Sequence, residues 1–478
     1  MLTREIRATL IASLGLFLLC AGCRAPHAIR DPEYYELDYA VSQAWNDPNP
    51  VEAAVSPSYA ELAGPHPVED YIQFSLAQNP QIQAARLRLE SAANRVPQAA
   101  SLQDPMFGVT AYAAPVQTAA GQQEVSVTAS QKLPWFGKLA TQADVAEQEV
   151  QAARAQLAAA ELEVVEKVKR GYYQLYFVEQ AIRITEENKK QLQLIETIVD
   201  RRYRVERKVN QQDVLRVQVE VARLDTELVQ LRQQLDSAQA RLARQLHLSP
   251  ETPVRTLEAL PMAQIPRDIE GLYRRAIASR PELHAALATI ERDRRASDLA
   301  RLNYFPDVTL GMTWIDTSSA GISPIANGND SFLLGATVNL PIYKTRLEAG
   351  VREAETRAVA SARQYDSLKD ATMEDVKDLF AQATSQEELL QLFREDIIPK
   401  AEQTLDQSIG AYPVGEVDIL QLVDNWRQLL RFYINEKQLE AQLRQSLASL
   451  ARVVGSYEVN NPPGLERLPV PPIAPPNN

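Results

Sequence analysis

Asn339-Leu340-Pro341-Ile342-Tyr343-Lys344 closes one kind of sequence pattern and opens another. Upstream, Phe332, Leu334, Ala336, Val338 and Leu340 alternate with Gly335, Thr337 and Asn339, broken only by Leu333. That period of two predicts a strand with one apolar and one polar face. Downstream runs a long stretch rich in Ala, Glu, Gln and Leu, all good helix formers. The same switch stands about 200 residues earlier, at Gln131-Lys132-Leu133-Pro134-Trp135-Phe136-Gly137-Lys138.

Further landmarks recur in the same order. Asn79-Pro80-Gln81-Ile82 and Arg280-Pro281-Glu282-Leu283 each open a helix, because proline suits the first turn, where its missing N–H is not needed. The run after each Leu-Pro reaches a tyrosine turn, Tyr203-Arg-Val-Glu in one copy and Tyr412-Pro-Val-Gly in the other. The spacing from Pro to Tyr is 69 residues in the first and 71 in the second. Each copy then returns along another helix, to His247 and to Val454. These matches predict an internal duplication. The repeats span 68–248 and 268–455, joined by a Pro-rich linker at 249–267.

The fold class expected is mainly α with a small β contribution, built as a duplicated helix–β-hairpin–helix repeat. Lys138 to Asp200 holds no proline and one glycine, Gly171. At 1.5 Å per residue, about 60 residues span roughly 90 Å. The return helix carries Val214, Val217, Val221, Leu224, Leu228, Leu231, Leu235, Ala238, Leu242 and Leu246, almost wholly in steps of three and four. That is the seam of a coiled coil. It reaches only about 50 Å, so its partner must be covered by two helices end to end.

Two hairpins supply four strands per chain. In the first copy Phe107, Val109 and Ala111 precede Val125, Val127 and Ala129, which alternate with Ser126, Thr128 and Ser130. In the second, Val308, Leu310, Met312 and Trp314 alternate with Thr309, Gly311 and Thr313. The segment between the second pair, Asp316–Asp330, is rich in Ser, Gly and Asn and reads as a loop. Such a period suits a transmembrane β-barrel, and also describes a pair of soluble hairpins packed on a helix. Four strands cannot close, and an open edge cannot sit in lipid. A barrel must therefore be shared, with eight strands from a dimer or twelve from a trimer.

The chain has 478 residues and a formal charge of −12, with four His and two Cys. The acidic balance and the lack of a basic stripe exclude a nucleic-acid binder. The histidines (His27, His66, His247 and His284) are scattered, so no metal centre is expected. No phosphate loop, nucleophile elbow or catalytic carboxylate pair stands out, which predicts neither an enzyme nor a cofactor. At the N-terminus Arg4 and Arg7 precede an apolar run from Ala8 to Leu19, too short for a permanent span. It ends in Leu19-Cys20-Ala21-Gly22-Cys23, which resembles a bacterial lipobox with Cys20 where Leu is commoner; the other reading is an ordinary secretory signal whose Cys is incidental. Residues 1–22 then read as a lipoprotein signal peptide, Cys23 as the acylated (palmitate-bearing) residue and 23–67 as a lipidated N-terminal arm. Removing residues 1–22 takes away Arg4, Arg7 and Glu5, so the mature charge becomes −13. The tail at 456–478, with seven prolines after Asn461, reads as disordered.

From about Val68 to Gly455 the order of these landmarks resembles the TolC-like outer-membrane efflux family. The resemblance rests on the duplicated plan, both Leu-Pro helix starts, and the turn Tyr412-Pro-Val-Gly415-Glu416-Val417-Asp418-Ile419-Leu420-Gln421-Leu422-Val423-Asp424. Leu133-Pro-Trp-Phe-Gly137-Lys138 is more similar to the heavy-metal, cation-exporting branch. The resemblance implies a homotrimer with a twelve-stranded barrel in the outer-membrane lipid and an α-helical tunnel across the periplasm. It also implies docking to an inner-membrane efflux pump through a periplasmic adaptor. Such a channel is a passive exit duct for small solutes or metal cations.

It further implies a constriction at the periplasmic tip, ringed by acidic residues. Asp424 matches one such position, and Gln421 stands at a second, where the family often has Asp. Asp213 matches an acidic position after the first turn, where Glu206 stands in place of the usual Gly. Glu416 and Asp418 add to the same field. Threefold symmetry would turn each carboxylate into a ring that attracts cations, although acidic residues at a helix start also serve the helix dipole. Gly415, Tyr412 and Tyr203 mark the turns and an adaptor-docking seam. Trp135, Phe136 and Tyr343 fall at the hairpin-to-helix junctions, where interfacial aromatics belong and where ordinary core packing is the other reading. Two other readings stand beside this one: a duct for protein secretion, and a lipid-anchored coiled-coil spacer that would need no hairpins. A periplasmic adaptor would instead carry Gly-rich β-domains around a single helical hairpin.

Overall fold

The computed structural model describes residues 64–206, 210–319, 325 and 327–458. The signal peptide, Cys23, nearly all of the arm and the prolines of the tail lie outside the described residues.

The first repeat opens with α1 (Val68–Gln78) and α2 (Pro80–Ala93). Asn79 caps α2, its side chain accepting from the Gln81 N–H at 2.9 Å, and Pro80 takes the first helical position. After the short α3 (Arg95–Ala100) come β1 (Met106–Thr118) and β2 (Gly121–Leu133). Gly137, at φ +85°, turns the chain into α4 (Lys138–Arg201), a helix of 64 residues, or about 96 Å at 1.5 Å per residue. A π-helical turn (Arg202–Glu206) ends it, and α5 (Gln211–Gln245) runs back.

The second repeat follows the same order: α6 (Ile269–Ser279), α7 (Pro281–Leu302), β3 (Val308–Ser318), β4 (Ser331–Val338) and α8 (Lys344–Leu392). Here the long helix departs from its counterpart. A π-helical turn (Phe393–Ile397) separates α8 from α9 (Ile398–Ala411). The cause lies in Pro399, which lacks the N–H that would bond the Glu395 carbonyl, so the helix widens to pass it. The return helix α10 (Ile419–Val454) is capped by Asp418 at its start and by Gly455, at φ +78°, at its end.

Most of α4 is sandwiched. It packs on α7, α5, α10 and α2, as a helix twice the length of its partners requires. One core surrounds Tyr71, Ile82, Val168, Tyr172 and Leu242. A second joins the two repeats at the end remote from the sheet, through Leu192, Val199 and Val217 of the first and Leu422, Trp426 and Leu430 of the second. Each fully buried side chain of this kind is worth about 1.5–3 kcal/mol.

The linker at 249–267 is strapped across the helices by its backbone. Tyr71 Oη donates to the Arg255 carbonyl at 2.9 Å, Gln180 Nε2 to the Glu258 carbonyl at 2.9 Å, and the Leu257 N–H to Tyr172 Oη at 3.1 Å. Tyr71 of α1 and Tyr172 of α4 therefore serve packing and strapping together.

The four strands form one antiparallel sheet in the order β1-β2-β3-β4, so the two hairpins join along β2 and β3. The register sorts the side chains into alternating rows. Val109, Val127, Trp314 and Phe332 share one row, and Phe107, Ala129, Met312 and Leu334 share another on the same face. Between them lies Gly108–Thr128–Thr313–Leu333, which explains why Leu333 breaks the apolar alternation: it belongs to the opposite face. Pro115 and the bulge beside it fall on the edge strand β1, the place where a sheet tolerates a missing N–H.

Candidate functional site

The tips of the two long hairpins come together. Arg202, in the π-helical turn of the first, donates from Nη1 to the Tyr412 carbonyl at 2.6 Å. Its guanidinium lies 4.9 Å from the centre of the Tyr412 ring, a cation–π contact. Burial pushes the Tyr412 hydroxyl above its ordinary range despite that guanidinium. A second cross-link ties α10 to α5, where Arg427 Nη2 meets Glu220 Oε1 at 2.6 Å. Sequence reasoning missed both arginines. Arg427 carried one local signal, a position three residues after Asp424. Arg202 carried none, because its partner is 210 residues away.

The predicted acidic residues occupy different environments. Asp424 is half exposed. It lies 3.4 Å from Arg427 Nη1 and accepts from Gln428 Nε2 at 3.0 Å. Asp418 caps α10, accepting from the Gln421 N–H at 2.7 Å, so the helix-start role is built in whatever else its charge does. Glu416 is exposed, and its N–H bonds the Ala411 carbonyl at 3.2 Å. Asp213 sits in the first turn of α5, 3.9 Å from Arg216. Gly415 holds φ +86° and donates to the Tyr412 carbonyl at 3.1 Å, a turn that a side chain would strain. Tyr203 is exposed on the π-helical turn. Between α5 and α10 an apolar groove of about 330 Å³ is lined by Leu215, Val219, Leu420 and Val423, with Glu220 and Arg427 beside it.

At the other end of the helices the sheet is fastened by Asp307. Its carboxylate accepts from Lys138 Nζ at 2.7 Å and from the Trp135 N–H at 3.0 Å, and Lys132 lies 3.4 Å away. Trp135 stacks on Phe305, with centroids 5.2 Å apart. Phe136 and Tyr343 are 87% and 70% exposed at the two places where a strand gives way to a helix, and Leu340 and Ile342 are exposed at the second of them. No group of residues able to hold a metal ion is found among the described residues, and His27 lies outside them.

No described helix is long and apolar enough to cross a membrane. The sheet is the part with a continuous apolar face, and the long helices hang from one end of it. That architecture defines an outer-membrane duct: a short β segment for lipid, continued by long helices. This chain belongs to the outer membrane efflux protein family, whose model matches residues 71–246 and 272–456. It is an efflux exit duct of the outer membrane.

Among solved structures it is similar to the outer-membrane channel OprN, 20% identical, with a TM-score of 0.70 over 81% of this chain and 90% of that one. It is likewise similar to CusC, 18% identical, with a TM-score of 0.70 over 84% and 99%. VceC of Vibrio cholerae is 18% identical, with a TM-score of 0.69 over 82% and 97%. A curated relative, the pyoverdine export outer membrane protein OpmQ of Pseudomonas putida, is 22% identical over 71% of this chain and 72% of its own.

Proposed function

We propose that three copies of this chain close a twelve-stranded barrel, and that the paired hairpin tips form its periplasmic gate. The observation that carries the first part is the open four-stranded sheet. Its rows alternate apolar and polar, yet among the described residues β1 and β4 each present an unpaired edge. Lipid does not tolerate such an edge, so a partner must cover it. The hairpins themselves speak against a plain coiled-coil spacer. In this reading acylated Cys23 and the aromatics Trp135, Phe136 and Tyr343 fix the barrel's depth at the membrane boundary.

The gate reading rests on the tips. The Arg202–Tyr412 and Arg427–Glu220 cross-links hold the two hairpins of one chain together, and the half-exposed Asp424 would form a ring of three carboxylates. Glu416, Asp418 and Asp213 lie close enough in sequence to the turns to add to its field. Tyr412, expected from the sequence to help dock an adaptor, is buried under Arg202 and so holds the turn from inside; a periplasmic adaptor docking on Gly415, Tyr203 and the apolar groove between α5 and α10 would compete with these cross-links. It would open the duct to an inner-membrane pump that supplies the energy. The cargo class this supports is a small solute. The relative named for pyoverdine export agrees with that size class.

Single-channel recording in planar bilayers tests the proposal, with wild type beside Asp424→Ala and Arg202→Ala. The expected result is small, cation-selective steps in wild type, reduced selectivity in Asp424→Ala and larger steps in Arg202→Ala. Pores indifferent to both changes would remove the gate assignment. Protein that folds but never inserts would overturn the barrel.

A further inference from the structure

We infer that the wall of the β-barrel is electrically neutral, so that the membrane part of this duct does not sort its cargo by charge. The inference rests on the shared-barrel reading above, in which the face opposite the apolar rows lines the lumen.

Hydroxyls and glycines make up most of that face, with Leu333 and Ile315 among its uncharged apolar members and Lys132 at its helix end. Thr128, Thr313 and Thr337 stand on it, and Gly108, Gly311 and Gly335 leave it bare between them. The close packing of Gly108 shows how flat it is kept. A Cβ there would stand 2.8 Å from Thr128 Oγ1, which instead donates to the Gly108 carbonyl at 3.3 Å.

Among the described residues of the four strands the formal charges are Glu124, Lys132 and Asp316. They fall at the two ends. Glu124 lies near the loop end, where Asp316 pairs with Val125. Lys132 lies at the helix end, 3.4 Å from Asp307 and so already answered by a carboxylate. Thr128 is four residues from either Glu124 or Lys132, about 14 Å at 3.4 Å per residue.

That distance decides the matter. In water a unit charge at 14 Å contributes roughly 0.3 kcal/mol before screening. The Debye length at physiological salt is about 8 Å, so most of that is lost. The remainder is well below RT, even for three symmetry-related copies. A solute in mid-barrel meets hydroxyl donors and acceptors, and cations, anions and neutral molecules pass alike. The tips differ in kind, because charges stand in the open there: Glu416, Asp418 and Asp424 present carboxylates to solvent around Gln421, and Arg201 and Arg204 are exposed on the other hairpin.

The local potential can be read with charged thiol reagents. The chain holds only Cys20 and Cys23, so a single introduced cysteine reports above a wild-type background. Thr128→Cys and Gly335→Cys probe the wall, and Gln421→Cys probes the tip. A Cβ at 335 meets nothing within 4 Å, which keeps that variant foldable. Each is treated, in lipid vesicles, with a trimethylammonium and a sulfonate methanethiosulfonate.

At 128 and 335 the two rates should stand in the ratio seen with free cysteine, within about threefold. At 421 the cation should be favoured by about tenfold or more, as a focused surface potential requires. A tenfold bias at 128 or 335 would overturn the neutral wall, and equal ratios at all three would overturn charge sorting at the tips. If neither reagent reaches 128 and 335 while a lipid-soluble maleimide does, that face does not line water. It is then the duct reading that fails.

Discussion

At the residue scale, the tip separates side chains that hold a turn from side chains free to act on a solute. Asp418 does the first by geometry, through its bond to the Gln421 N–H. Asp418→Ala should destabilise the protein by about 1 kcal/mol, the usual cost of a lost N-cap. Asp418→Ser keeps an acceptor and should restore most of that in thermal unfolding, while removing the charge. Any change of ion selectivity that survives in the serine variant then belongs to the charge alone. Gly415 and Gly455 make a second contrast. Both have positive φ, but a Cβ at 415 meets nothing within 4 Å, whereas one at 455 would collide with the Ser279 carbonyl. Gly415→Ala should cost about 1–2 kcal/mol, the price of a left-handed residue alone. Gly455→Ala should cost more, because it also pushes the end of α10 off the α6–α7 turn. Paired melting curves of the two variants check the order.

At the scale of elements, the π-helical turn beside Pro399 positions a charge cluster. It carries Arg394, whose guanidinium meets Glu436 at 2.6 Å and Glu440 at 3.1 Å, with Lys437 3.2 Å from both carboxylates. Tyr176 of α4 donates to Glu440 at 3.2 Å, so the cluster joins α8–α9, α10 and α4. Burial by itself would raise the Glu440 carboxyl, but Lys437 and Arg394 outweigh it and hold it below the ordinary glutamate range. A carboxyl lowered on folding stabilises the protein fully above its unfolded value, about 4.3. That contribution is lost as pH falls through the lower, folded value. Arg394→Met should therefore move acid unfolding, followed by circular dichroism, to higher pH. Its cost at neutral pH should be about 1–3 kcal/mol, less than for a fully buried pair because the Arg394 side chain is 41% exposed.

At the scale of the whole molecule, the open sheet makes a prediction about assembly. If β4 of one copy pairs with β1 of the next, face parity must be kept, because a slip of one residue turns every side chain to the wrong side. Gly108→Cys and Leu333→Cys lie on one face, Leu334→Cys on the other. The pair 108/333, or its neighbours two residues along, should cross-link between copies on oxidation. The pair 108/334 should not. Gel mobility of the oxidised membranes reads the outcome. Cross-linking at both parities would show that the edges meet without a fixed register.

The sequence by itself determined the repeat, the long helices and the faces of the strands. Those are periodic properties, and a period is carried by each segment alone. Lys138 to Asp200 has no residue that stops a helix, and the alternation around Thr128 and Thr313 needs no partner to be read. Even the departure at Leu333 was visible, though not its reason. What only the tertiary structure decided is how the segments meet. β2 lies against β3, and the linker is strapped by Tyr71, Tyr172 and Gln180. Arg202 reaches Tyr412, and Arg427 reaches Glu220. The interruption of the second long helix lay between the two: Pro399 is plain in the sequence, but the π-helical turn that absorbs it is anchored by Glu436 and Glu440 on α10. These contacts join positions tens to hundreds of residues apart. Their energies depend on distance and burial in three dimensions, and neither is a function of local order along the chain.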